Sequence, residues 1–180
     1  GNLVANNYEG IVLSTGCEGN KIRGNNIINN TFLDGFAGVD LTNGARDNVV
    51  ENNNIAQNRY GISIDHENNS IFGNQIIENG VGIHEYLEPT YGYKIFHNNF
   101  INNTKQVDLS NSSVNAWDNG VEGNYWSDYN ETDLDQDGIG DTLYVINTNN
   151  TDHYPLMTQY TNPYIIPEFP SPLTILLFAM

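Results

Sequence analysis

Apolar residues enter this chain in short alternating runs, each a few positions long and bounded by asparagine or glycine; this is the period of β-strands, not of helices. Five segments align without gaps: NKIRGNNIINN from Asn20, NVVENNNIAQN from Asn48, NSIFGNQIIEN from Asn69, YKIFHNNFINN from Tyr93 and NGVEGNYWSDY from Asn119. The opening GNLVANN is the tail of a sixth. Their starts lie 28, 21, 24 and 26 residues apart, a variation that suits a coil whose loops change length while its strands stay in place.

Down the columns, Ile22, Val50, Ile71, Ile95 and Val121 form one apolar row and Ile27, Ile55, Ile76, Phe100 and Trp126 another, while Asn25, Asn53, Asn74, Asn98 and Asn124 never vary. An amide both donates and accepts, so identical asparagines stacked about 4.8 Å apart can bond along a ladder. A further strand precedes each motif, with Ile11, Val39, Ile62, Ile83 and Val107 inward, followed two places on by Leu13, Leu41, Ile64, Glu85 and Leu109. Glu85 breaks that row: either it is a buried carboxylate with a partner, or, as we expect, the following LEPTYGY insertion shifts the register. The pattern predicts an all-β fold, a right-handed parallel β-helix of five to six rungs. Its repeats cover residues 1–114, and a last rung with a C-terminal cap covers 115–160.

Composition narrows the function. The formal charge is −16 with only 6 Lys+Arg, which repels phosphate backbones and anionic membrane surfaces. Nucleic acid is therefore excluded as a partner, and cations and neutral sugars remain. Cys17 is the single cysteine, so no internal disulfide forms. Asn-x-Ser/Thr triplets begin at Asn29, Asn68, Asn102, Asn111, Asn130 and Asn149, a motif that also arises by chance in an asparagine-rich chain. The chain opens inside a repeat and reads as a fragment. After a Pro-rich linker over 161–172, residues 173–180 turn apolar, which we read as the start of a truncated membrane anchor.

The repeat, with GNYWSDYNETDLDQDGIGDTLYVI from Gly123 and DHYPLM from Asp152, resembles the NosD-type β-helix proteins of archaeal and bacterial surfaces, part of a broader group of carbohydrate-binding and sugar-hydrolysing repeats. IPEFPSP from Ile166 resembles archaeal PEF-type sorting signals. The resemblance implies an extracellular, surface-attached protein. Its family was once labelled copper-binding, and its namesake assists maturation of a copper enzyme. The ligand chemistry here departs from that, because copper sites want clustered His, Cys or Met, and this chain has one cysteine and two methionines far from its histidines.

Three groups of residues carry candidate chemistry. In DLDQDGIGD, Asp133, Asp135, Asp137, the Ile139 carbonyl and Asp141 fall at positions 1, 3, 5, 7 and 9 of a calcium loop, with Gly138 at the sharp turn. Position 12 holds Tyr144 instead of the bidentate Glu, so Asp128, Glu131 or Asp152 would have to complete the shell. Such a calcium ion would be structural, fixing a cap rich in Trp117, Tyr125, Trp126, Tyr129 and Tyr144 over the open end of the solenoid. On the outer face, Ser63, His84 and Asp108 fall on adjacent rungs in the order of nucleophile, base and orienter, with a solvated face as the default. Asp65 and His66 loosely resemble the Asp and His of β-helix enzymes that cleave or epimerise polysaccharides. Tyr86, Tyr91 and Tyr93 can stack on sugar faces, or pack over the adjacent rung, which we favour. The expected role is structural or adhesive, with surface glycans as partners; the alternatives are a polysaccharide lyase, hydrolase or epimerase, and a NosD-like periplasmic accessory protein for copper-enzyme maturation.

Overall fold

The computed structural model describes residues 1–31, 37–66 and 68–162. The linker's last ten residues, the IPEFPSP motif and the anchor expected over 173–180 lie outside the described residues. Among the described residues no helix is long and apolar enough to cross a membrane.

The strands stack into three parallel sheets, the walls of a β-solenoid. The first wall runs Leu3–Ala5, Asn26–Ile28, Asn54–Ala56, Gln75–Ile77, Asn99–Ile101 and Tyr125–Trp126; the second runs Ile11–Leu13, Ala37–Leu41, Tyr60–Ile64, Val81–Glu85 and Lys105–Asp108. The third runs Lys21–Arg23, Val49–Glu51, Ser70–Phe72, Tyr91–Phe96 and Val114–Ala116. Each wall turns its alternate side chains inward, so one continuous core threads the rungs. Ile27, Ile55, Ile76, Phe100 and Trp126 lie in register on the first wall and are at most 1% exposed. Truncating one of these isoleucines to alanine costs about 2–5 kcal/mol by loss of transfer energy and cavity formation.

The corners follow from asparagine chemistry. At each one a residue with positive φ reverses the chain and the next residue points inward. At the first corner Gly24, Asn52, Gly73 and His97 precede Asn25, Asn53, Asn74 and Asn98. Asn25 donates from both its backbone N and its Nδ2 to Asn53 Oδ1, at 2.9 and 3.1 Å, and the same pair of bonds repeats from Asn53 to Asn74, Asn74 to Asn98 and Asn98 to Asn124. Two further ladders, not singled out in the sequence, occupy the other corners: Asn7–Asn30–Asn58–Asn79–Asn103 and Asn20–Asn48–Asn69. Each buried amide is thereby satisfied, which is what makes polar corners tolerable in a solenoid core.

Two expectations are corrected, and Tyr93 finds its place in the core. Val121 is 67% exposed and leaves the inward row; Lys94 pairs with Ala116, which sets the fully buried Trp117 beside Ile95 instead. The gap-free alignment failed there because the last rung takes its third-wall strand from Val114–Ala116. At Glu85 the register does not shift: it pairs with Ile64, and its carboxylate accepts from Ser110 N and the Ser113 hydroxyl. Tyr93 is fully buried and takes a ladder position in place of asparagine, receiving Asn69 Nδ2 at 2.8 Å and donating to the Asp65 carbonyl at 2.9 Å.

The far end is closed by the segment after Trp126. Tyr144 stacks on Trp126, which stacks on Phe100, with centroids 4.2 and 4.3 Å apart. Tyr144–Asn147 and Asn150–Asp152 form an antiparallel hairpin. Asp152 ends the first ladder, accepting from Asn124 N at 2.7 Å and Trp126 Nε1 at 2.9 Å on one oxygen. Asn150 ends the third, accepting from Asn115 N and Trp117 Nε1 at 3.0 and 3.1 Å.

Candidate functional site

The corner between the second and third walls gathers most of the candidate chemistry. Ile64 ends its strand inward, and the chain then turns through Asp65 and His66, the latter at φ 60. Asp65 is 1% exposed; one carboxylate oxygen accepts Asn43 N at 2.9 Å and the other meets His66 Nδ1 at 2.6 Å. In the tautomer that donates from Nδ1, the buried carboxylate fixes the imidazole and leaves Nε2 as an acceptor on a half-exposed side chain. His66 lines an open groove of 560 Å³ together with Arg46, Glu88 and Tyr91. Arg46 is held from below by Glu18, 2.8 Å from its Nε. Of the three tyrosines, Tyr91 reaches this groove and Tyr86 stands exposed next to it in sequence, whereas Tyr93 is buried. Sequence reasoning missed Glu88 and did not place Arg46 in the site, since nothing in their spacing ties them to a histidine some 20 residues away.

The row on the second wall is in register, Val12–Asp40–Ser63–His84–Asp108, but it is no assembled triad. The His84 Nδ1 to Asp108 Oδ2 separation is 3.6 Å, beyond a hydrogen bond. Among the described residues Ser63 Oγ is buried without a hydrogen-bond partner, so serine and histidine are not joined either. The expectation of a solvated face is also corrected, for Ser63 is 1% exposed and Tyr60 stacks on His84 with centroids 4.0 Å apart. Burial pushes Asp40 up to about 6, with Glu9 and Asp65 adding repulsion, and burial pulls His84 below its ordinary value. Lys105, bonded at 2.6 Å, holds Asp108 below the usual carboxylate range.

In the acidic loop, carboxylate oxygens of Asp133, Asp135 and Asp137 lie within 4.8 Å of one another. Asp133 accepts Gly138 N at 3.0 Å and Asp137 accepts Ile139 N at 2.8 Å, so the turn is organised by its own backbone. Asp141 is not brought into the cluster: it turns to Leu134 N at 2.7 Å. Nor are two of the proposed helpers available, because Asp152 is spent on the ladder and Asp128 takes the Tyr144 hydroxyl at 3.2 Å. Tyr144 stands at position 12 because it plugs the core column.

The donor set bears on copper. Each histidine faces a carboxylate: His66 with Asp65, His84 with Asp108, His97 with Glu122 at 2.8 Å and His153 with Asp118 at 2.9 Å. Among the described residues, the one group of three metal-ligating side chains is the all-oxygen Asp133–Asp135–Asp137 cluster, the donor set of a hard cation. A closed copper site of nitrogen and sulfur ligands does not fit these residues.

Residues 1–131 match the family described as "Periplasmic copper-binding protein (NosD)". The chain is 40% identical over 81 residues to a "Probable ABC transporter binding protein NosD" of Pseudomonas aeruginosa, covering 45% of this chain and 19% of that protein. It is 36% identical over 81 residues to the protein of the same description from Stutzerimonas stutzeri, covering 45% and 18%. The chain thus spans about a fifth of the length of these curated relatives. No solved structure matches.

Proposed function

Because the chain belongs to the NosD family, we propose that it is a solenoid segment of an envelope-located accessory binding protein serving a copper-handling, transporter-linked assembly. It acts through its side walls and corners, and it does not enclose the metal. The match over residues 1–131 supports the assignment, and the solitary, carboxylate-paired histidines support docking over storage. Copper titration of the full chain against a competing chelator tests this. Weak binding that the chelator removes agrees with the reading; stoichiometric copper that survives it and is lost in His66→Ala would make the chain a carrier instead.

A second reading, a glycan contact at the cell surface, is favoured by one observation: the groove beside His66 combines an exposed tyrosine ring, a fixed imidazole acceptor, a guanidinium and a carboxylate. A sugar ring on Tyr91, with hydroxyls bonded to His66 Nε2 and Glu88, uses three of them. Glycan-array binding that disappears in Tyr91→Ala supports it, and an array without hits removes it. In both readings the acidic loop holds calcium and secures the cap, a role supported by the convergence of Asp133, Asp135 and Asp137.

A further inference from the structure

We propose that the solenoid corners carry N-linked glycans, with Asn102 the foremost acceptor and Asn29 on the same ridge a second. The sequence offers six Asn-x-Ser/Thr triplets, and the fold separates them from the structural asparagines. All six triplet asparagines are exposed, whereas the ladder asparagines are buried except at the first rungs, where Asn7 and Asn20 are exposed. In Asn29-Asn30-Thr31, Asn68-Asn69-Ser70 and Asn102-Asn103-Thr104 the middle residue is a ladder asparagine pointing inward, so its two neighbours point out together.

Corner geometry alone does not account for the hydroxyls. Thirteen residues of positive φ immediately precede a ladder position. Five are asparagines, namely Asn6, Asn29, Asn52, Asn68 and Asn102, and in three of them Ser or Thr stands two places on. The other eight are glycine, aspartate, glutamine, glutamate or histidine, and none is followed two places on by a hydroxyl. A left-handed corner favours Asn or Gly, but it needs no Ser or Thr beyond. The hydroxyl accompanies asparagine, as an acceptor triplet requires.

The sites differ in readiness. Asn102 is exposed, its side-chain amide has no hydrogen bond among the described residues, and Thr104 is exposed. Asn29 gives its amide to Asn6 Oδ1 at 2.7 Å. At Asn111 the triplet hydroxyl, Ser113, is buried and committed to Glu85, so that triplet is closed. The reaction is a transfer from a lipid-phosphate-linked oligosaccharide by a membrane transferase. Asn102 Nδ2 forms a bond to the sugar's C1, the C1–oxygen bond to the lipid phosphate breaks, the lipid phosphate leaves, and one amide proton passes to a base of the transferase. The proposal is independent of the binding readings above, since it uses neither the His66 groove nor the acidic loop.

The test is peptide mass spectrometry on the full chain isolated from the envelope of cells that make it. The expected result is a saccharide mass on the Asn102 peptide that vanishes in Asn102→Gln and in Thr104→Ala, with unchanged thermal melts, and no modification at Asn111. An Asn102 peptide recovered only in unmodified form overturns the proposal. So does a mass that persists in Thr104→Ala, because it would not be triplet-directed.

Discussion

The ring of Tyr144 lies face to face with Trp126, centroids 4.2 Å apart and planes within 9°. It extends a column that begins at Val4 and runs through Ile27, Ile55, Ile76 and Phe100. One residue therefore serves two patterns: by count it is position 12 of an acidic loop, and in space it is the last layer of the core. The second use excludes the first, since a phenol turned onto an indole cannot act as a bidentate carboxylate.

Tyr144→Ala should destabilise the protein by about 2 kcal/mol, less than a fully buried aromatic because the ring is partly exposed. Tyr144→Phe should be nearly neutral, for among the described residues the hydroxyl bonds only the exposed Asp128, at 3.2 Å. Urea unfolding of both variants against the parent checks the contrast; equal losses would place the energy in the hydroxyl.

Replacing a ladder member should cost more than its volume suggests. Asn74→Ala removes the acceptor of Asn53 N and Nδ2 and the donor to Val50 O, Phe72 O and Asn98 Oδ1. Several buried groups lose partners at once, and a loss of about 3 kcal/mol or more follows. Asn54→Ala, on the outer face one rung away, gives up only an exposed bond to Asn26 Oδ1 and should cost no more than about 0.5–1 kcal/mol. Thermal melts of the pair decide it.

Asp40 should make the fold less stable at neutral pH. Its folded-state value is raised from 3.8 to about 6 by burial, so the folded protein holds a proton that the unfolded chain releases. Its contribution is complete below pH 3.8 and is lost as pH rises through about 6. The difference, roughly 2 units, corresponds to about 3 kcal/mol, which partial exposure reduces to about 1–2 kcal/mol. Asp40→Asn should accordingly raise stability by about 1 kcal/mol at pH 7 and leave it unchanged at pH 3.5, measured by denaturant melts at both values.

Calcium added to chelator-treated protein should raise the melting temperature, with about 2.7 kcal/mol of stabilisation at a hundredfold excess over Kd. Asp135→Ala with Asp137→Ala should abolish the gain. A melt indifferent to calcium would leave the loop organised by its backbone bonds to Asp133 and Asp137 alone.

Much of this architecture was legible in order along the chain. The inward rows from Ile27 to Trp126 and the ladder from Asn25 to Asn124 repeat at matched positions, and a period of two marks each strand. What failed did so where spacing is silent about depth. Tyr93 and Tyr91 are two residues apart on one strand, yet one is a fully buried ladder member and the other lines an open groove. Glu85 looked like a broken register, but serines brought from Ser110 and Ser113 satisfy it in place.

By itself the sequence determined the strands, the three-walled stacking and the acidic turn, because these rest on local periodicity and on side chains that recur at each rung. Only the tertiary structure decided that Trp117 and not Val121 completes the fifth layer, that Tyr144 closes the core, and that Arg46, Glu88 and Tyr91 meet His66. Those outcomes depend on which distant segments pair, and pairing is settled by the burial of the whole solenoid rather than by any one stretch of it.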